Sequence, residues 1–327
     1  MRESTVKAIV QDHYGSAKDV LEFQETDQPV VKDEEVLVRV HAASIHIGDC
    51  LVMQGLPKVM RPVFGLRRPK YRIPGTDVAG TIEAVGANVT RLQPGDEVFG
   101  WCKGAFAEFV SVAADALITK PANVTFEHAS ATGVSAFTAL QALRDQGKLE
   151  SGQKVLITGA SGGVGTFAVQ IAKSFGAEVT GVCSTRNLEL VRSIGADDVI
   201  DYTKEDFTQA EQKFDLILDN VGKRSFSDTR RPLVPDGTLV SSGAPVSGWV
   251  GGLGHVVKAL VLSFFVRQQG RPFVSMPNKE DLATLKDLAE AGKLTPVIDR
   301  TYPLSDGMEA MAHVAEGHAQ GKTVITV

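Results

Sequence analysis

The chain of 327 residues has little cysteine and no long apolar run. Its cysteines are Cys50, Cys102 and Cys183. Three cysteines so far apart cannot form a disulfide framework or a zinc knuckle, and they indicate a reducing compartment. The longest apolar stretch, residues 256–266, is interrupted by Lys258 and Ser263 and is too short to span a bilayer.

The chain also lacks a strong excess of charge of either sign. It has 34 Lys and Arg against 39 Asp and Glu, a formal net charge of −5. Such a chain offers no field that attracts a nucleic-acid backbone or an anionic membrane surface. Because 43% of its residues are hydrophobic, it can bury a large core, which excludes disorder as its main state. A strand-like run begins soon after Met1 and leaves no room for a targeting segment, so we predict a soluble cytoplasmic protein.

The first third of the chain is predicted as β-structure, because short runs rich in Val and Ile are bounded by Gly, Pro and Asp. These runs are residues 6–10, 36–42, 78–85, 97–101 and 106–112. Strands at this spacing are typical of a small barrel or sandwich. An Ala-rich helix is predicted over residues 127–143.

Strands and helices then alternate, which predicts a parallel doubly wound sheet. The predicted strands are residues 154–158, 178–183, 198–200, 214–218 and 238–242, with 272–276 at one edge. The predicted helices between them are residues 164–175 and 188–194. The last part is predicted as helix, strand, helix and strand over residues 279–291, 297–302, 306–316 and 322–327.

The strongest chemical signal is a glycine-rich turn at residues 159–165, between a predicted strand and a predicted helix. This context is that of a dinucleotide fingerprint, in which the backbone approaches a pyrophosphate at the N-terminus of a helix. We predict that Ser161, Gly162, Gly163 and Val164 bind the pyrophosphate. The alternative is a tight strand–helix turn without a ligand.

The residues after the second strand of the sheet indicate which dinucleotide binds. NAD sites carry an acidic residue here for the ribose 2′-hydroxyl, but this chain has none before Glu189. Ser184, Thr185 and Arg186 offer hydroxyls and a guanidinium group suited to a 2′-phosphate. We therefore predict NADP(H), and the alternative is that Arg186 is a solvated residue at the start of a helix.

A group of basic residues lies in a stretch rich in Pro and Gly. Its members are Arg61, Arg67, Arg68, Lys70 and Arg72. They form either a solvated loop or a lid over an anionic or carbonyl ligand.

Several motifs in order resemble the medium-chain dehydrogenase/reductase superfamily over essentially the whole chain, and within it the zinc-free quinone oxidoreductase branch, the relatives of zeta-crystallin. They are Pro74-Gly-Thr-Asp-Val-Ala-Gly80, Val85-Gly86, Pro94-Gly-Asp-Glu-Val98, Gly104-Ala-Phe-Ala-Glu108, the turn at 159–165, Gly195-Ala-Asp-Asp-Val-Ile-Asp-Tyr202 and Gly321-Lys-Thr-Val-Ile-Thr-Val327. The resemblance implies an α/β fold, with a doubly wound Rossmann sheet inserted in a GroES-like β-barrel domain. We assign residues 1–124 and 278–327 to the GroES-like domain and residues 125–277 to the Rossmann domain.

The resemblance also implies further site residues. It places beside the nicotinamide Ser135, Asn220, Val221 and the segment Ser242-Gly243-Ala244-Pro245, and it places Tyr202 near the adenosine phosphate. The nicotinamide is expected where the carboxyl ends of the strands face the β domain.

A catalytic zinc needs Cys, His and Cys or Glu ligands, and the resemblance shows where they would be. The Gly-His-Glu motif of the family is here Gly75-Thr76-Asp77, and His46 stands at the position of the first Cys ligand. The four-Cys structural lobe is missing. We therefore predict no metal, although His46, Asp49 and Cys50 lie close together in sequence.

Without zinc, the remaining chemistry is hydride transfer from NADPH to an acceptor that is already electrophilic, a quinone or an α,β-unsaturated carbonyl compound. His46 is the predicted proton donor, oriented by Asp49; the alternatives are a structural barrel histidine and a proton from solvent.

Other functions remain open from the sequence. The missing ligands argue against a zinc alcohol dehydrogenase. An enoyl-thioester reductase would need a Tyr donor, for which Tyr71 is the nearest residue. A non-catalytic NADPH-binding protein would carry the same fingerprint. Pairing of the predicted edge strand 272–276 about a two-fold axis would give a homodimer.

Overall fold

The structure, a computed structural model, describes residues 5–243 and 268–327. Its contacts divide the chain into two units, Met1–Ser135 with Pro277–Val327 and Ala136–Met276. We call the first the β unit and the second the Rossmann unit.

The strands and helices are numbered in chain order. The strands are β1 (Thr5–Gln11), β2 (Leu21–Asp27), β3 (Glu35–Ile45), β4 (Asp77–Val85), β5 (Glu97–Trp101), β6 (Phe109–Ala113), β7 (Leu117–Thr119), β8 (Lys154–Thr158), β9 (Glu178–Cys183), β10 (Asp198–Asp201), β11 (Phe214–Asp219), β12 (Leu233–Ser241), β13 (Gln269–Pro272), β14 (Ile298–Pro303) and β15 (Lys322–Thr326). The helices are α1 (Ala17–Val20), α2 (Ile47–Gln54), α3 (Arg61–Phe64), α4 (Phe126–Ala131), α5 (Val134–Gln141), α6 (Gly163–Ser174), α7 (Leu188–Ser193), α8 (Phe226–Thr229), α9 (Lys279–Glu290) and α10 (Gly307–Ala315).

The β unit is built on a sheet in the order β14-β15-β3-β4-β5-β7, with β6 also paired to β3, and on the antiparallel pair β1-β2. Alternation along β3 explains the packing, because Val36, Val38 and Val40 enter the core while Arg39 points out. Burial of each such side chain contributes about 1.5–3 kcal/mol to the free energy of unfolding. The prediction of a β-rich, GroES-like fold is confirmed.

The Rossmann unit contains a parallel sheet in the order β10-β9-β8-β11-β12-β13. Counted from β8, this is the order 3-2-1-4-5-6 of a doubly wound dinucleotide fold, as predicted. The strand order proceeds from β8 to one side through β9 and β10 and then to the other side from β11 onward, so the turns after β8 and β11 lie at the topological switch point.

The predicted edge strand at residues 272–276 was misplaced. The edge strand is β13, which ends at Pro272. Beyond it, the side-chain amide of Gln141 binds both backbone groups of Met276, at 2.8 and 3.1 Å. Val274 and Met276 are 86% and 72% exposed, so these two apolar side chains do not pack into the sheet.

The predicted helix 127–143 is also wrong in detail, because α4 ends before Gly133 and α5 begins after it. The cause is Asp77 on β4. Its Oδ1 accepts a hydrogen bond from the Val134 amide at 2.9 Å, and a Cβ on Gly133 would lie 2.2 Å from the Asp77 carboxyl group. The chain therefore leaves helical geometry where it passes a buried carboxylate.

The division of the chain by contacts differs from the domain boundary predicted between residues 124 and 125. Helix α4 belongs with the β unit, because Phe126 and Ala131 pack on Ala42 of β3 and Val324 of β15. The apolar stretch 256–266 lies outside the described residues. Within the described ranges, no helix has the length and apolarity required to cross a membrane.

Candidate functional site

The glycine-rich turn joins β8 to α6 and needs glycine at two positions for its own geometry. Gly159 has a φ of +61°, a left-handed conformation that favours glycine. A Cβ on Gly165 would lie 2.1 Å from the carbonyl oxygen of Gly159, so only glycine lets the helix begin this close to the strand. These two glycines are explained by the fold alone.

Gly162, the N-cap of α6, is different. Its backbone is extended, with a φ of −88°, and among the described residues a Cβ here would have only the Gly159 carbonyl oxygen nearby, at 3.4 Å. The turn itself therefore accepts a side chain at this position, and glycine leaves open space over the helix N-terminus. That space lies where backbone N–H groups and the helix dipole attract phosphate, so the turn fits a dinucleotide pyrophosphate.

The hydroxyl of Ser161 is held by a residue that the sequence did not single out. The buried side-chain amide of Asn187 donates to Ser161 Oγ at 2.7 Å. This bond links the glycine-rich turn to the segment after β9. The only sequence signal was the position of Asn187, directly after Arg186.

The segment after β9 brings together several predicted cofactor residues in the Rossmann unit. Ser184 is half-buried, and Thr185 and Arg186 are exposed. The Thr185 hydroxyl donates to Asp201 at 2.6 Å, and this bond, with those from Thr203, lowers the pKa of Asp201 from 3.8 to about 2. The Thr185 hydroxyl hydrogen is therefore donated to a carboxylate.

Tyr202 follows β10, its side chain 58% exposed and its amide bonded to the carbonyl oxygen of Cys183 at 3.1 Å. This bond places Tyr202 at the same edge of the sheet as Ser184 and Arg186, beside the carboxyl end of β9.

The residues after β11 and β12 form a second loop cluster at the carboxyl end of the sheet. Thr158 donates to Asp219 at 2.6 Å, and the same carboxylate oxygen accepts the amides of Val221 and Gly222 at 3.1 Å. Asn220 donates to the Thr158 carbonyl oxygen at 3.0 Å. The cluster thus joins the end of β8, before the glycine-rich turn, to the loop after β11.

Gly243 belongs to the same cluster. A Cβ on Gly243 would lie 2.2 Å from the Asn220 carbonyl oxygen, and Ser242 donates to the Asn220 side chain at 2.6 Å. The structure thus brings Asn220, Val221 and Gly243 together through Thr158 and Asp219, which the sequence did not single out. Ala244 and Pro245 lie outside the described residues.

In the β unit, His46 and Asp49 form a cluster at the N-terminus of α2. His46 is the N-cap, and its Nδ1 accepts the Gly48 amide at 2.9 Å. Asp49 Oδ2 accepts the His46 amide at 3.0 Å, which completes a capping box. Asp49 is buried, and burial raises its pKa.

Thr76 joins these two side chains. Its Oγ1 lies 2.6 Å from His46 Nε2 and donates to Asp49 Oδ1 at 3.2 Å. In the sequence, Thr76 is notable only because it stands where the family has a histidine ligand. No pattern in the neighbouring residues predicts its contacts with His46 and Asp49.

A buried ion pair lies beyond this cluster. Lys322 of β15 lies 3.4 Å from Asp77, and their side chains are 1% and 0% exposed. Ser44 donates to Asp77 at 3.0 Å, and Lys322 donates to Ser135 at 3.3 Å. Ser135, predicted to lie beside the nicotinamide, thus has a buried hydroxyl bound to Lys322.

Tyr71 lies in a different part of the β unit. It lines a cavity of about 320 Å³ with Val6, Asp27 and Lys103 among its other walls, and His46 and Asp49 do not line it. Lys103 Nζ donates to the Tyr71 hydroxyl at 2.8 Å and lowers its pKa.

The basic segment is partly held by the fold. Arg72 binds both carboxylate oxygens of Asp12, at 2.6 and 2.8 Å, and the Arg61 guanidinium lies 4.7 Å from the centre of the Tyr14 ring. These contacts fix part of the segment to Asp12 and Tyr14 of the same unit.

A metal site needs several His, Cys, Asp or Glu side chains placed around one point. Within residues 5–243 and 268–327, no three His, Cys, Asp or Glu side chains are placed to ligate one metal ion. Cys50 is buried with its Sγ 3.6 Å from the Met311 carbonyl oxygen. His46 and Asp49 are bonded to each other and to Thr76.

Comparisons with known proteins agree with this architecture. Residues 32–122 match the family described as alcohol dehydrogenase GroES-like domain, and residues 194–325 match that described as zinc-binding dehydrogenase. The chain is 36% identical to the mouse NAD(P)H oxidoreductase RTN4IP1, mitochondrial, over all of this chain and 90% of that protein. It is 31% identical to the Arabidopsis thaliana NADPH-dependent alkenal/one oxidoreductase, chloroplastic, over 98% of this chain and 79% of that protein.

A solved structure is similar over nearly the same length. The quinone oxidoreductase from Coxiella burnetii is 29% identical, with a TM-score of 0.87 over 99% of this chain and all of that one. The sheet order, the glycine-rich turn and these relatives agree, and the chain belongs to the medium-chain dehydrogenase/reductase superfamily of oxidoreductases, in its quinone oxidoreductase branch.

Proposed function

We propose that this protein is a zinc-independent, NADPH-dependent oxidoreductase that transfers a hydride to a quinone or an α,β-unsaturated carbonyl compound. The observation that carries the proposal is Gly162, which leaves space at the N-terminus of α6 that the turn itself does not require. Bound there, the cofactor supplies the hydride. The backbone N–H groups of Gly163 and Val164 would hold its pyrophosphate, and Asn187, which donates to Ser161, would orient that hydroxyl beside it.

The preference for NADPH rests on the residues after β9. Arg186 is exposed there, and the next acidic residue in the chain is Glu189, on α7. The carboxylate of Asp201 accepts hydrogen bonds from Thr185 and Thr203 and lies 3.5 Å from the ammonium group of Lys204, so its charge is locally compensated. A guanidinium group in this setting suits a ribose 2′-phosphate. The Arabidopsis relative is named for NADPH.

Two observations support the proposed acceptor class: the set of possible metal-ligating side chains and the names of the relatives. Quinones and enones are electrophilic without a Lewis acid, so the protein has to orient the acceptor, exclude water and supply a proton. The solved relative is named a quinone oxidoreductase and the Arabidopsis relative acts on alkenals and alkenones by name. For an enoyl thioester, Tyr71 would be the donor, and its hydroxyl is instead bound to Lys103 in a separate cavity.

The first test is oxidation of NADPH and of NADH, followed by absorbance, with a quinone, an enal and a saturated aldehyde as acceptors. We expect oxidation of NADPH by the quinone or the enal, unchanged by a chelator. Activity with the aldehyde alone, lost on chelation, would show a zinc dehydrogenase. Tight NADPH binding without turnover would show a binding protein, and preference for an enoyl thioester would show the reductase alternative.

Two variants test the cofactor residues directly. Gly162→Ala should fold normally, because its Cβ would meet no atom of the described part of the chain closer than 3.4 Å, and it should weaken NADPH binding by at least about tenfold. Arg186→Gln should raise the KM for NADPH by roughly 10–100-fold through loss of charge-assisted hydrogen bonds, and leave that for NADH unchanged. The matched control is Arg192→Gln, an exposed arginine on α7. Equal effects of the two arginine variants would refute the role of Arg186.

A homodimer and a cytoplasmic location remain part of the proposal. The segment from Phe273 to Met276, beyond β13, is the candidate contact, because its Val274 and Met276 side chains are exposed. Light scattering on the purified protein should give twice the chain mass, and a monomer at all concentrations would refute the dimer. Fractionation of the source cells tests the location.

A further inference from the structure

The hydrogen bonds around His46 fix which of its ring nitrogens carries the hydrogen. Nδ1 accepts from the Gly48 amide at 2.9 Å, so in the neutral ring the hydrogen is on Nε2. Nε2 then donates to Thr76 Oγ1 at 2.6 Å. A second hydrogen, on Nδ1, would point at the Gly48 N–H. The ring therefore acts as a fixed donor to Thr76 and is poorly placed to release a proton itself.

Thr76 is the branch point of this network. A hydroxyl has one hydrogen to donate and two lone pairs that accept. When Asp49 is a carboxylate, Thr76 accepts from His46 and donates to Asp49 Oδ1 at 3.2 Å. When Asp49 is protonated on Oδ1, Thr76 accepts from both neighbours, and its own hydrogen is free to point elsewhere. Thr76 is half-buried, whereas Asp49 is only 5% exposed.

The groups that face Asp49 allow it to hold a proton. Burial raises the pKa of Asp49, opposed by His46, and the negative charge of Asp77 raises it further while Lys322 lowers it. Asp77 and Lys322 are paired with each other at 3.4 Å, and their charges act on the pKa of Asp49 in opposite directions. Cys102 is also close, and its own pKa is raised by burial and by both carboxylates.

We propose that Asp49 and Thr76, rather than His46, deliver the proton in this reaction, a step that rests on the proposed function. After hydride addition the acceptor carries an oxyanion. The Thr76 Oγ–H bond breaks and an O–H bond forms on the acceptor, while the Asp49 Oδ1–H bond breaks and restores the Thr76 hydroxyl. Asp49 ends as a carboxylate held by the His46 amide, and it is reprotonated from solvent through Thr76 by the reverse path. His46 is a positioning residue that keeps its hydrogen on Nε2.

The first experiment reads the histidine tautomer without turnover. Long-range ¹H–¹⁵N correlation spectra of the ligand-free protein distinguish a protonated from an unprotonated ring nitrogen, and His46→Gln assigns the signal among seven histidines. We expect the hydrogen on Nε2, a shifted Nε2 signal in Thr76→Val, and a signal close to wild type in Thr76→Ser. A hydrogen on Nδ1 would overturn the proposed path.

The second experiment measures the pH dependence of kcat with a quinone or enal. Because protonated Asp49 is the donor, kcat should fall as pH rises through its pKa. Thr76→Val should lower kcat by roughly 10²-fold, with little change in KM, and remove this fall. Thr76→Ser should restore both. The matched control is Thr81→Val, since Thr81 also contacts a histidine, His41 Nε2, at 3.0 Å, in the same unit.

The outcomes separate the two proposals. If Thr76→Val behaves like Thr81→Val in kcat and in pH profile, Thr76 does not deliver the proton. If Asp49→Asn keeps the wild-type pH profile, Asp49 is not the source. A wild-type protein that reduces no acceptor overturns the proposed function, whereas either result above in an active enzyme overturns the proton path alone.

Discussion

Replacing Lys322 by methionine would leave the Asp77 carboxylate buried without its cation. Lys322 Nζ and Asp77 Oδ2 are 3.4 Å apart, and both side chains are almost completely excluded from solvent. Asp77 would keep the hydrogen bonds from Ser44 and from the Val134 amide. Removal of one partner of such a buried pair typically costs about 3–5 kcal/mol in the free energy of unfolding. We expect a loss in this range.

The assay is chemical denaturation followed by the fluorescence of Trp101, in a Trp249→Phe background that leaves it the sole tryptophan of the chain. Trp101 on β5 is paired in register with Asp77, so it reports on unfolding of the β unit. The matched control is Lys32→Met, which breaks an ion pair of 3.0 Å with Glu35 whose lysine is 79% exposed. That variant should change the free energy of unfolding by less than about 1 kcal/mol.

The double variant Asp77→Asn/Lys322→Met completes the cycle. It removes both charges, so its cost should fall short of the sum of the single costs by about 2–3 kcal/mol. A loss below about 1 kcal/mol for Lys322→Met would refute the reasoning, and so would additive single costs. Either result would mean that water or a structural change compensates the buried carboxylate.

Three further predictions concern the Rossmann unit and the cysteines. Gly165→Ala should destabilise the protein by at least about 1–3 kcal/mol, because its Cβ would meet the Gly159 carbonyl oxygen at 2.1 Å. A melting temperature equal to that of Gly162→Ala would contradict this steric argument. Asp201, whose pKa is lowered to about 2, contributes stability that is fully present above pH 3.8 and is lost as pH falls through about 2. Thr185→Val should raise the pKa of Asp201, as measured by carboxyl ¹³C NMR. An unchanged pKa would refute the role of the Thr185 hydrogen bond. All three thiols are buried and have raised pKa values, about 12 for Cys50 and about 11 for Cys183. None should therefore react rapidly with a disulfide reagent at pH 8 until the protein unfolds. Fast labelling of the native protein would show that this burial is not maintained in solution.

The sequence alone was sufficient for features that depend on neighbouring residues. The glycine-rich turn was predictable because a left-handed φ at Gly159 and the close approach at Gly165 require glycine at two positions within one short segment. The parallel sheet was predictable because each strand and helix carries its own periodicity. The absence of a histidine between Gly75 and Asp77 could likewise be recognised directly, because a motif position is local.

Only the tertiary structure decided which polar groups meet. Asp77 and Lys322 are 245 residues apart and share no pattern, yet β3 lies between β4 and β15 and brings them into one buried pair. The same carboxylate splits the predicted helix 127–143 at Gly133, and a hydroxyl 27 residues beyond Asp49 completes the His46 cluster. Backbone conformation is set mainly by adjacent residues, whereas the partner of a buried polar group is set by the packing of distant strands. For that reason the cofactor turn could be predicted from the sequence, and the contacts of Thr76 could not.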